Sequence, residues 1–499
     1  MKLFSAPPRW DASRPEVWHD WQLQRLRTYL SHRVLPFSAH YQRLFAENDI
    51  HPEDIQTYED WARVPFSSKK DLTVSKEEQR GFVLIPNEKA LKREWGVIWN
   101  AISHGPAYAK EQIEREFRPV MMTSTTGRSS DPVPFAFTKH DLANLDVTGR
   151  RLMEVGASQR EWKHVNAFPY APHLAFWQAH HAGLGFGTFM VSTGGGKVLG
   201  TEGNMNMIEK VRPEVVIAMP TFFYHLLREA VETGKHWPNM KRIVLGGEKV
   251  AEGMRARLHA LATELGSDDV KIISTYGFTE AKMAFPECPT SLEAGASGFH
   301  LSPDLGMVEL VDPKTGIPVP EGHAGEIVFT PLDARGTVVI RYRTGDIAEG
   351  GLSWAQCPHC GRMCGRLLGP ISRVSEVREL QFDKIKGTLV NFNILEHLLD
   401  DMKGVAAWQV ELRKLHDDPH EVDELLLHVA PEDDMNTVEL EHRLGRRFAE
   451  VTEIRPNEIQ FHDLAELRDR LGVGRLLKEA KILDSRPKDS ARIVSTSTN

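Results

Sequence analysis

The sequence predicts an α/β protein, with a large N-terminal part of parallel-rich sheets and helices followed by a small α+β part. Three observations carry this. Between about residues 120 and 345, short apolar runs alternate with segments of helical periodicity, which implies βαβ units and parallel pairing. EIVFT and VVIRYRTGD, with the turn-rich DPKTGIPVPEGHAGE before them, read as hairpins. Beyond a cysteine cluster, two strand-like runs and one well-patterned helix form a second mixed unit.

Taken in order, WHDWQLQRLRTYLSHRVL carries apolar residues at helical spacing, so the region up to about Leu72 is predicted helical. PFSSKKDL offers a Ser-Ser-Lys-Lys-Asp start suited to a helix cap. Residues 75–119 are charged and show no clear pattern. VNAFPY, FGTFMVS, VVIAMP, RIVLGG and KIISTYG are strand-like, and TFFYHLLREAVE and GMRARLHALATELG are helical segments between them. VAAWQVEL and ELLLHVAPE are the later strands, and TVELEHRLGRRFAEVT is the later helix. The tail SRPKDSARIVSTSTN is polar and expected to fray. There is no internal repeat.

Bulk properties narrow the function. The 499 residues are 41% hydrophobic and 26% charged, values that allow a large core. A net charge of −8 argues against nucleic acid as the main ligand. No run of 18 apolar residues suggests a membrane span, and MKLFSAPPRWDASRPE lacks the apolar core of a secretory signal. Only four cysteines occur, which makes a disulfide framework improbable. The cytoplasm is the expected location.

TSTTGRSSDPVPF, from Thr123 to Phe135, is rich in hydroxyls and follows an apolar FRPVMM. On its own it reads equally as a solvated loop, a flexible tether or a phosphate cradle, in which hydroxyls donate and the glycine admits backbone N–H groups. It is not a Walker A loop. Neither is STGGGKVLG, where Val191 stands at the first glycine position and Val198 follows Lys197.

The order of four further segments decides between these readings. GGEKV (Gly246–Val250), STYGFTEAK (Ser274–Lys282) and RYRTGD (Arg341–Asp346) each follow a strand-like run, and GRLLKEAKILD (Gly474–Asp484) lies near the end. This order resembles the adenylate-forming superfamily of acyl-CoA synthetases, adenylation domains and luciferases, and most closely its phenylacetate–CoA ligase branch. QRLRTYLSHRVLPFSAHYQRLFAENDIHPEDI resembles that branch's N-terminal helical region. The resemblance implies an adenylate-forming domain over residues 1–370 and a small mobile domain over 371–499.

It also implies residue roles. Thr123, Ser124, Thr125, Thr126, Gly127 and Arg128 match the loop holding the β- and γ-phosphates, with Thr125 where the family usually has glycine. Gly246, Gly247 and Glu248 match the adenine-lining segment. Tyr276 matches the aromatic residue packed on adenine, Gly277 gives the nucleotide close approach, and Thr279 sits by the α-phosphate. Glu280 matches the carboxylate that holds Mg²⁺, a hard cation that binds through a carboxylate plus phosphates. Asp346 matches the acceptor of the ribose hydroxyls. Lys478 matches the lysine that bridges the attacking carboxylate and the α-phosphate, although Leu477 replaces the usual preceding glycine; Lys481 is the rival. The usual Gly-Arg-x-Asp-Asp hinge is altered to GPISRVSEVRELQFDKIKG, and Arg373 is the candidate hinge arginine. The implied substrates are ATP, a small carboxylic acid and coenzyme A, and a homodimer is allowed.

CPHCGRMC gives a C-x₂-C half-site, and structural zinc takes four soft ligands. The resemblance adds the upstream cysteine and a histidine, so Cys288, His300, Cys357 and Cys360 are the expected zinc set, with Cys364 or His359 as substitutes. FPYAPHLAFWQAHHAGLGFG (Phe168–Gly187) is aromatic and lies where the branch contacts its acid; a buried core helix is the rival reading. An aromatic-lined pocket prefers an aryl or arylacetic acid. The expected reaction is acyl-adenylate formation with pyrophosphate release, then thioester formation with coenzyme A. The alternatives are an amine or carrier-protein acceptor, or a nucleotide-binding protein with a degenerate site.

Overall fold

The computed structural model describes residues 7–91, 94–125, 132–373, 392–414, 423–433, 435–452, 455–473, 475 and 479–486. The chain divides into two compact units, one of Met1–Lys249 with Leu258–Ser372 and the other of Val250–Arg257 with Arg373–Asn499.

In the first unit, β1 (Pro119–Ser124) and β2 (Pro134–Thr138) form an antiparallel pair. The strands β3 (Lys163–Asn166), β4 (Phe189–Ser192), β5 (Val215–Ala218), β6 (Arg242–Gly246), β7 (Lys271–Phe278) and β8 (Met283–Pro286) build a six-stranded sheet in the order β4-β3-β5-β6-β7-β8. Its pairs are parallel except β7–β8, which is antiparallel. The helices Leu174–Phe186, Gly196–Val211, Pro220–Glu232 and Glu252–Glu264 supply the crossovers. All four residues of β5 are buried, as expected of a parallel strand covered on both faces.

Shorter antiparallel sheets follow. Four strands, β10 (Gly306–Val311), β11 (Gly325–Pro331), β12 (Tyr342–Ala348) and β15 (Ile371–Arg373), lie in that order. Three two-residue strands, β13 (Leu352–Ser353), β14 (Arg366–Leu367) and β9 (Phe299–His300), form another sheet.

The N-terminal helices belong to the main core of this unit. Trp18, Leu26 and Tyr29 of the helix Pro15–Tyr29 are fully buried in one cluster with Phe135, Phe137, Val339 and Tyr342. Polar anchors fix the same helix: the Tyr29 hydroxyl donates to the Ala334 carbonyl at 2.6 Å and the Gln22 amide to the Pro303 carbonyl at 2.8 Å. Two expectations change here. Ser68 donates through its N–H and hydroxyl to Asp71 at 2.7 and 2.9 Å, but this closes a turn and no helix follows. The β-branched Thr73 and Val74 intervene, and Ser75 caps the helix Lys76–Gly81 instead. Residues 75–119, unpatterned in sequence, contain that helix together with Glu88–Leu91, Trp95–His104 and Pro106–Phe117.

In the second unit, β16 (Val405–Lys414) and β17 (Asp423–Pro431) are antiparallel, flanked by β18 (Glu458–Phe461) and β19 (Ile482–Asp484), each parallel to its neighbour. One sheet face packs Trp408, Val410 and Leu412 against the helices Phe392–Asp400 and Thr437–Thr452. On another cluster, Ala407 and Ala430 meet Leu467 and Leu471 of the helix Leu464–Leu471.

Candidate functional site

Gly246–Glu248 and Tyr276–Glu280 lie at the ends of β6 and β7 in the first unit, where open α/β sheets bind ligands. β6 ends at Gly246. A Cβ on Gly246 would lie 2.4 Å from Thr275 Oγ1, and Gly247 has φ +81°; both positions require glycine. The Glu248 carboxylate accepts from the Thr221 N–H at 3.1 Å and its hydroxyl at 2.5 Å. That carboxylate therefore caps the start of the helix Pro220–Glu232, and the Gly246–Glu248 backbone is what it leaves for lining a base.

β7 runs through Tyr276 and Gly277 to Phe278, and a short 3₁₀ turn, Thr279–Ala281, carries Thr279 and Glu280. A Cβ on Gly277 would press on the Ala284 Cβ at 2.8 Å, so pairing with β8 also demands this glycine. Two hydrogen bonds stitch the segment to β12. The Tyr276 hydroxyl donates to Asp346 Oδ2 at 2.8 Å, and the Tyr342 hydroxyl donates to Glu280 Oε1 at 2.8 Å. Asp346 is buried, and its N–H donates to the Thr344 hydroxyl at 3.0 Å. The Tyr276 ring sits among Phe278, Phe285 and Phe299 at centroid distances of 5.6, 6.3 and 5.8 Å.

Sequence reasoning missed Lys282. It is buried with φ +57°, and its ammonium donates to the Ala136 carbonyl at 2.7 Å, Asp141 at 3.1 Å and the Arg335 carbonyl at 2.5 Å. Burial lowers its pKa, and Asp141 opposes this. Two residues past Glu280, it fixes the turn to β2. Tyr342 was also missed, although it stands inside RYRTGD. The arginines of that motif are structural: Arg341 donates to the Ala62 and Val64 carbonyls, each at 2.7 Å, and Arg343 pairs with Glu326.

The hydroxyl-rich loop leaves β1 beside the helix Leu174–Phe186. The Ser124 N–H donates to the Pro172 carbonyl at 2.6 Å, and His173 bonds the Ser124 carbonyl at 3.0 Å. Thr125 and Val133 exchange two bonds of 3.0 Å. Thr123 is fully buried, and its hydroxyl has no hydrogen-bond partner among the described residues. Thr126, Gly127 and Arg128 lie outside the described residues. The contacts form a circuit, from the loop to Pro172–His173, and from β2 through Lys282 and Glu280 to Tyr342, Asp346 and Tyr276. In Phe168–Gly187, Leu174, Phe176 and Gln178 are buried while Tyr170 is exposed, so the stretch is partly core and partly surface.

Cys288, His300, Cys357 and Cys360 place one ligand atom each within 4.8 Å of one another. Cys288 Sγ lies 3.8 Å from Cys357 Sγ, and Cys360 Sγ lies 3.3 Å from His300 Nε2. Zn–S bonds of about 2.3 Å at tetrahedral angles put two sulfurs about 3.8 Å apart. His300 Nδ1 faces the Pro286 carbonyl at 3.1 Å, which fixes the tautomer that leaves Nε2 for a metal. Hydrogen bonds from Cys288 and Cys360 lower the Cys357 thiol to about 2, and the bond to Cys357 drives Cys288 upward. The donor set fits zinc. Of the substitutes, Cys364 is buried with its thiol pushed up to about 12 by burial, and His359 is exposed; neither joins the cluster.

Arg373 ends β15 and is exposed; the altered hinge beyond Arg373, and Lys478, lie outside the described residues. Lys481 is described. Its ammonium pairs with Asp400 at 2.8 Å and lies 4.9 Å from the Trp408 ring centroid. Burial alone would lower its pKa, and Asp400 reverses this and raises it.

Residues 165–331 match the family model of AMP-binding enzymes. The phenylacetate–coenzyme A ligase of Thermus thermophilus is 29% identical over 70% of this chain and 68% of its own length. The Aromatoleum evansii ligase of the same name is 26% identical over 66% of this chain and 65% of its own. The chain thus matches about two thirds of the length of these curated relatives. A crystal structure of 2-hydroxyisobutyryl-CoA ligase in the postadenylation state superposes with a TM-score of 0.76 at 18% identity, covering 97% of this chain and 95% of that one. In sequence and fold the chain is thus similar to the adenylate-forming superfamily. Within that superfamily the chain is phenylacetate–CoA ligase-like.

Proposed function

We propose that this protein is an AMP-forming acid–thiol ligase, which activates a carboxylic acid with ATP and transfers the acyl group to coenzyme A. The observation that supports it most directly is the pair of stitches Tyr276–Asp346 and Glu280–Tyr342. They hold residues suited to base, ribose and metal-bound phosphates on one rigid frame.

In this reading residues 1–370 bind ATP and the acid, and residues 371–499 carry Lys478. Tyr276 packs against adenine, with Gly246, Gly247 and the backbone of Glu248 lining its edge. Asp346 accepts from the vicinal ribose hydroxyls. Residues 123–128 cradle the β- and γ-phosphates, and Thr279 donates to the α-phosphate. Glu280 is the protein ligand for Mg²⁺, which neutralises phosphate charge when bound. The substrate carboxylate forms a bond to the α-phosphorus as the bond to pyrophosphate breaks. Lys478 offsets the repulsion between the two anions and the charge that builds in the transition state. The coenzyme A thiolate then attacks the acyl carbon, and AMP leaves with the bonding electron pair. Cys288, His300, Cys357 and Cys360 hold a structural zinc ion. The aromatic stretch from Phe168 suits an aryl or arylacetic acid. ATP and coenzyme A as substrates suit a cytoplasmic enzyme, and a homodimer is compatible with it.

The test is pyrophosphate release with a panel of aryl and arylacetic acids, without and then with coenzyme A. Acid-dependent release followed by an acyl-CoA product is expected. Release without a thioester would redirect the acceptor to an amine or carrier protein. No release with any acid, alongside retained ATP binding, would mark a degenerate site.

A further inference from the structure

Gln409 lies on β16, 1% exposed, beneath the helix Leu464–Leu471. Its companions on that face are mixed: Ala407, Ala430, Leu467 and Leu471 form an apolar cluster beside it, while His428 stands directly opposite it on β17. Alternation along a strand puts Ala407, Gln409 and Glu411 on one face. A buried primary amide in such a setting costs stability unless it finds partners, so its bonds identify its role.

Those bonds converge on the two feet of one loop. Gln409 Nε2 donates to the Ala480 carbonyl at 2.7 Å and makes a longer contact of 3.5 Å to the Arg470 carbonyl. The Arg470 guanidinium in turn reaches Gln409 Oε1 at 3.4 Å and Glu411 Oε2 at 3.0 Å. The feet also meet each other, since the Ala480 N–H donates to the Leu471 carbonyl at 2.9 Å. Just outside the loop, the Val410 N–H donates to the Lys481 carbonyl at 2.8 Å. The same Glu411 oxygen also meets His428 Nε2 at 3.0 Å, and His428 meets His462 at 3.0 Å. Residues 472–479, with Lys478 among them, lie between these two feet in the sequence.

We propose that Gln409 is a positioning residue for adenylation: its amide, with Glu411 gripping Arg470, clamps the two described ends of the segment to which Lys478 belongs. This rests on the reading of Lys478 given above. The physical reason is reach. A lysine that must meet two anions in one transition state gains from a loop whose ends cannot drift, and misplacement by about 1 Å costs roughly 100-fold in rate.

The test uses the full-length protein and the Gln409→Leu variant, whose side chain suits the apolar cluster. Acid-dependent pyrophosphate formation is expected to fall roughly 10- to 100-fold in kcat, with KM for ATP within about twofold. Thioester formation from supplied acyl-adenylate and coenzyme A, which does not use Lys478, is expected to stay at the wild-type rate. In a Lys478→Ala background, Gln409→Leu is expected to add no further loss. Equal losses in both half-reactions, or additive losses in the double variant, would overturn the proposal. Amide hydrogen exchange tests the clamp independently of activity. Residues 472–480 should exchange faster in Gln409→Leu while β16 and β17 are unchanged, and unchanged exchange there would refute it. If wild-type protein released no pyrophosphate with any acid but the exchange result held, the enzymatic reading would fail and the clamp would stand as a structural device. Glu411→Gln keeps the shape of the grip with a weaker hold on Arg470 and is expected to show a smaller loss of the same kind.

Discussion

The Tyr276 phenol donates to the Asp346 carboxylate at 2.8 Å, so the residue suited to the base and the residue suited to the ribose form one unit. A hydrogen bond to a charged acceptor contributes about 1.5–3 kcal/mol. In Tyr276→Phe the ring stays and the bond is lost. KM for ATP is expected to rise roughly three- to tenfold, with kcat for pyrophosphate release changed less than about twofold. Asp346→Asn, which weakens acceptance from both the phenol and the ribose, should raise KM further. An unchanged KM in both variants would remove Asp346 from the nucleotide site.

Glu280 and Tyr342 are joined in the same way, at 2.8 Å. If Glu280 holds the metal, Glu280→Gln is expected to lower the adenylation rate about 100-fold or more, and raised Mg²⁺ should restore part of it. Tyr342→Phe loosens the carboxylate without deleting it. It is expected to shift half-saturation with Mg²⁺ upward, roughly two- to fivefold, with the maximal rate nearly retained. Magnesium titrations of the two variants separate these outcomes from simple unfolding.

The cysteine–histidine cluster makes a prediction about stability. Elemental analysis of protein purified without added metal is expected to find about one zinc per chain. Chelation, or Cys357→Ser, should lower the melting temperature by several degrees. Substituting Cys364, which lies outside the cluster, should leave the metal content unchanged. Metal-free protein with a wild-type melting curve would show that the four ligands need no ion.

How much of this was legible beforehand depended on the range of the interactions. β5 reads directly from VVIA because a strand buried on both faces is a continuous apolar run. Residues 75–119 do not, because helices such as Pro106–Phe117 are charged and rest on distant partners: Glu116 accepts from Arg33 and Arg335, at 2.7 and 2.8 Å. All four of Glu280, Asp346, Tyr342 and Lys282 stand in motifs, but what Tyr342 and Lys282 do there is set by contacts 62 and 141 residues away in the chain. The cysteine pair Cys288–Cys357 spans 69 residues, so spacing alone gave only the Cys357–Cys360 half. Ser68 shows the opposite failure: its local cap bonds form, but the following residues do not continue them.

His164 gives a pH dependence with a definite sign. It is fully buried on β3, with Nε2 2.7 Å from the Ser158 hydroxyl and Nδ1 3.0 Å from the Trp162 carbonyl. Burial lowers its pKa from 6.5 to about 4, against the raising effect of the backbone carbonyls. The unfolded chain therefore binds a proton below pH 6.5 that the folded chain refuses until about pH 4. Its share of stability is complete above pH 6.5 and is lost as pH falls through that window. The expected loss is at most about 3 kcal/mol. Melting temperatures of wild type and His164→Gln across the range should converge as pH falls, and parallel curves would assign the slope to other groups.

Lys478 and Lys481 were rivals for the catalytic role, and their surroundings separate them. Lys481 is committed to Asp400 at 2.8 Å and to the Trp408 ring. An ammonium held in a half-buried pair is a poor choice to meet a substrate carboxylate and a phosphate, because breaking the pair leaves Asp400 without its partner. Lys481→Ala is therefore expected to lower stability by about 3 kcal/mol or more, while protein that remains folded keeps acid-dependent pyrophosphate release within about threefold of wild type. Lys478→Ala should behave in the reverse way, with an unchanged melting temperature, ATP affinity within about twofold, and adenylation reduced about 100-fold or more. Calorimetric ATP binding beside pyrophosphate kinetics distinguishes the two. Normal turnover in Lys478→Ala together with loss in folded Lys481→Ala would reverse the assignment, and with it the reading of the loop between Gly472 and Ala480.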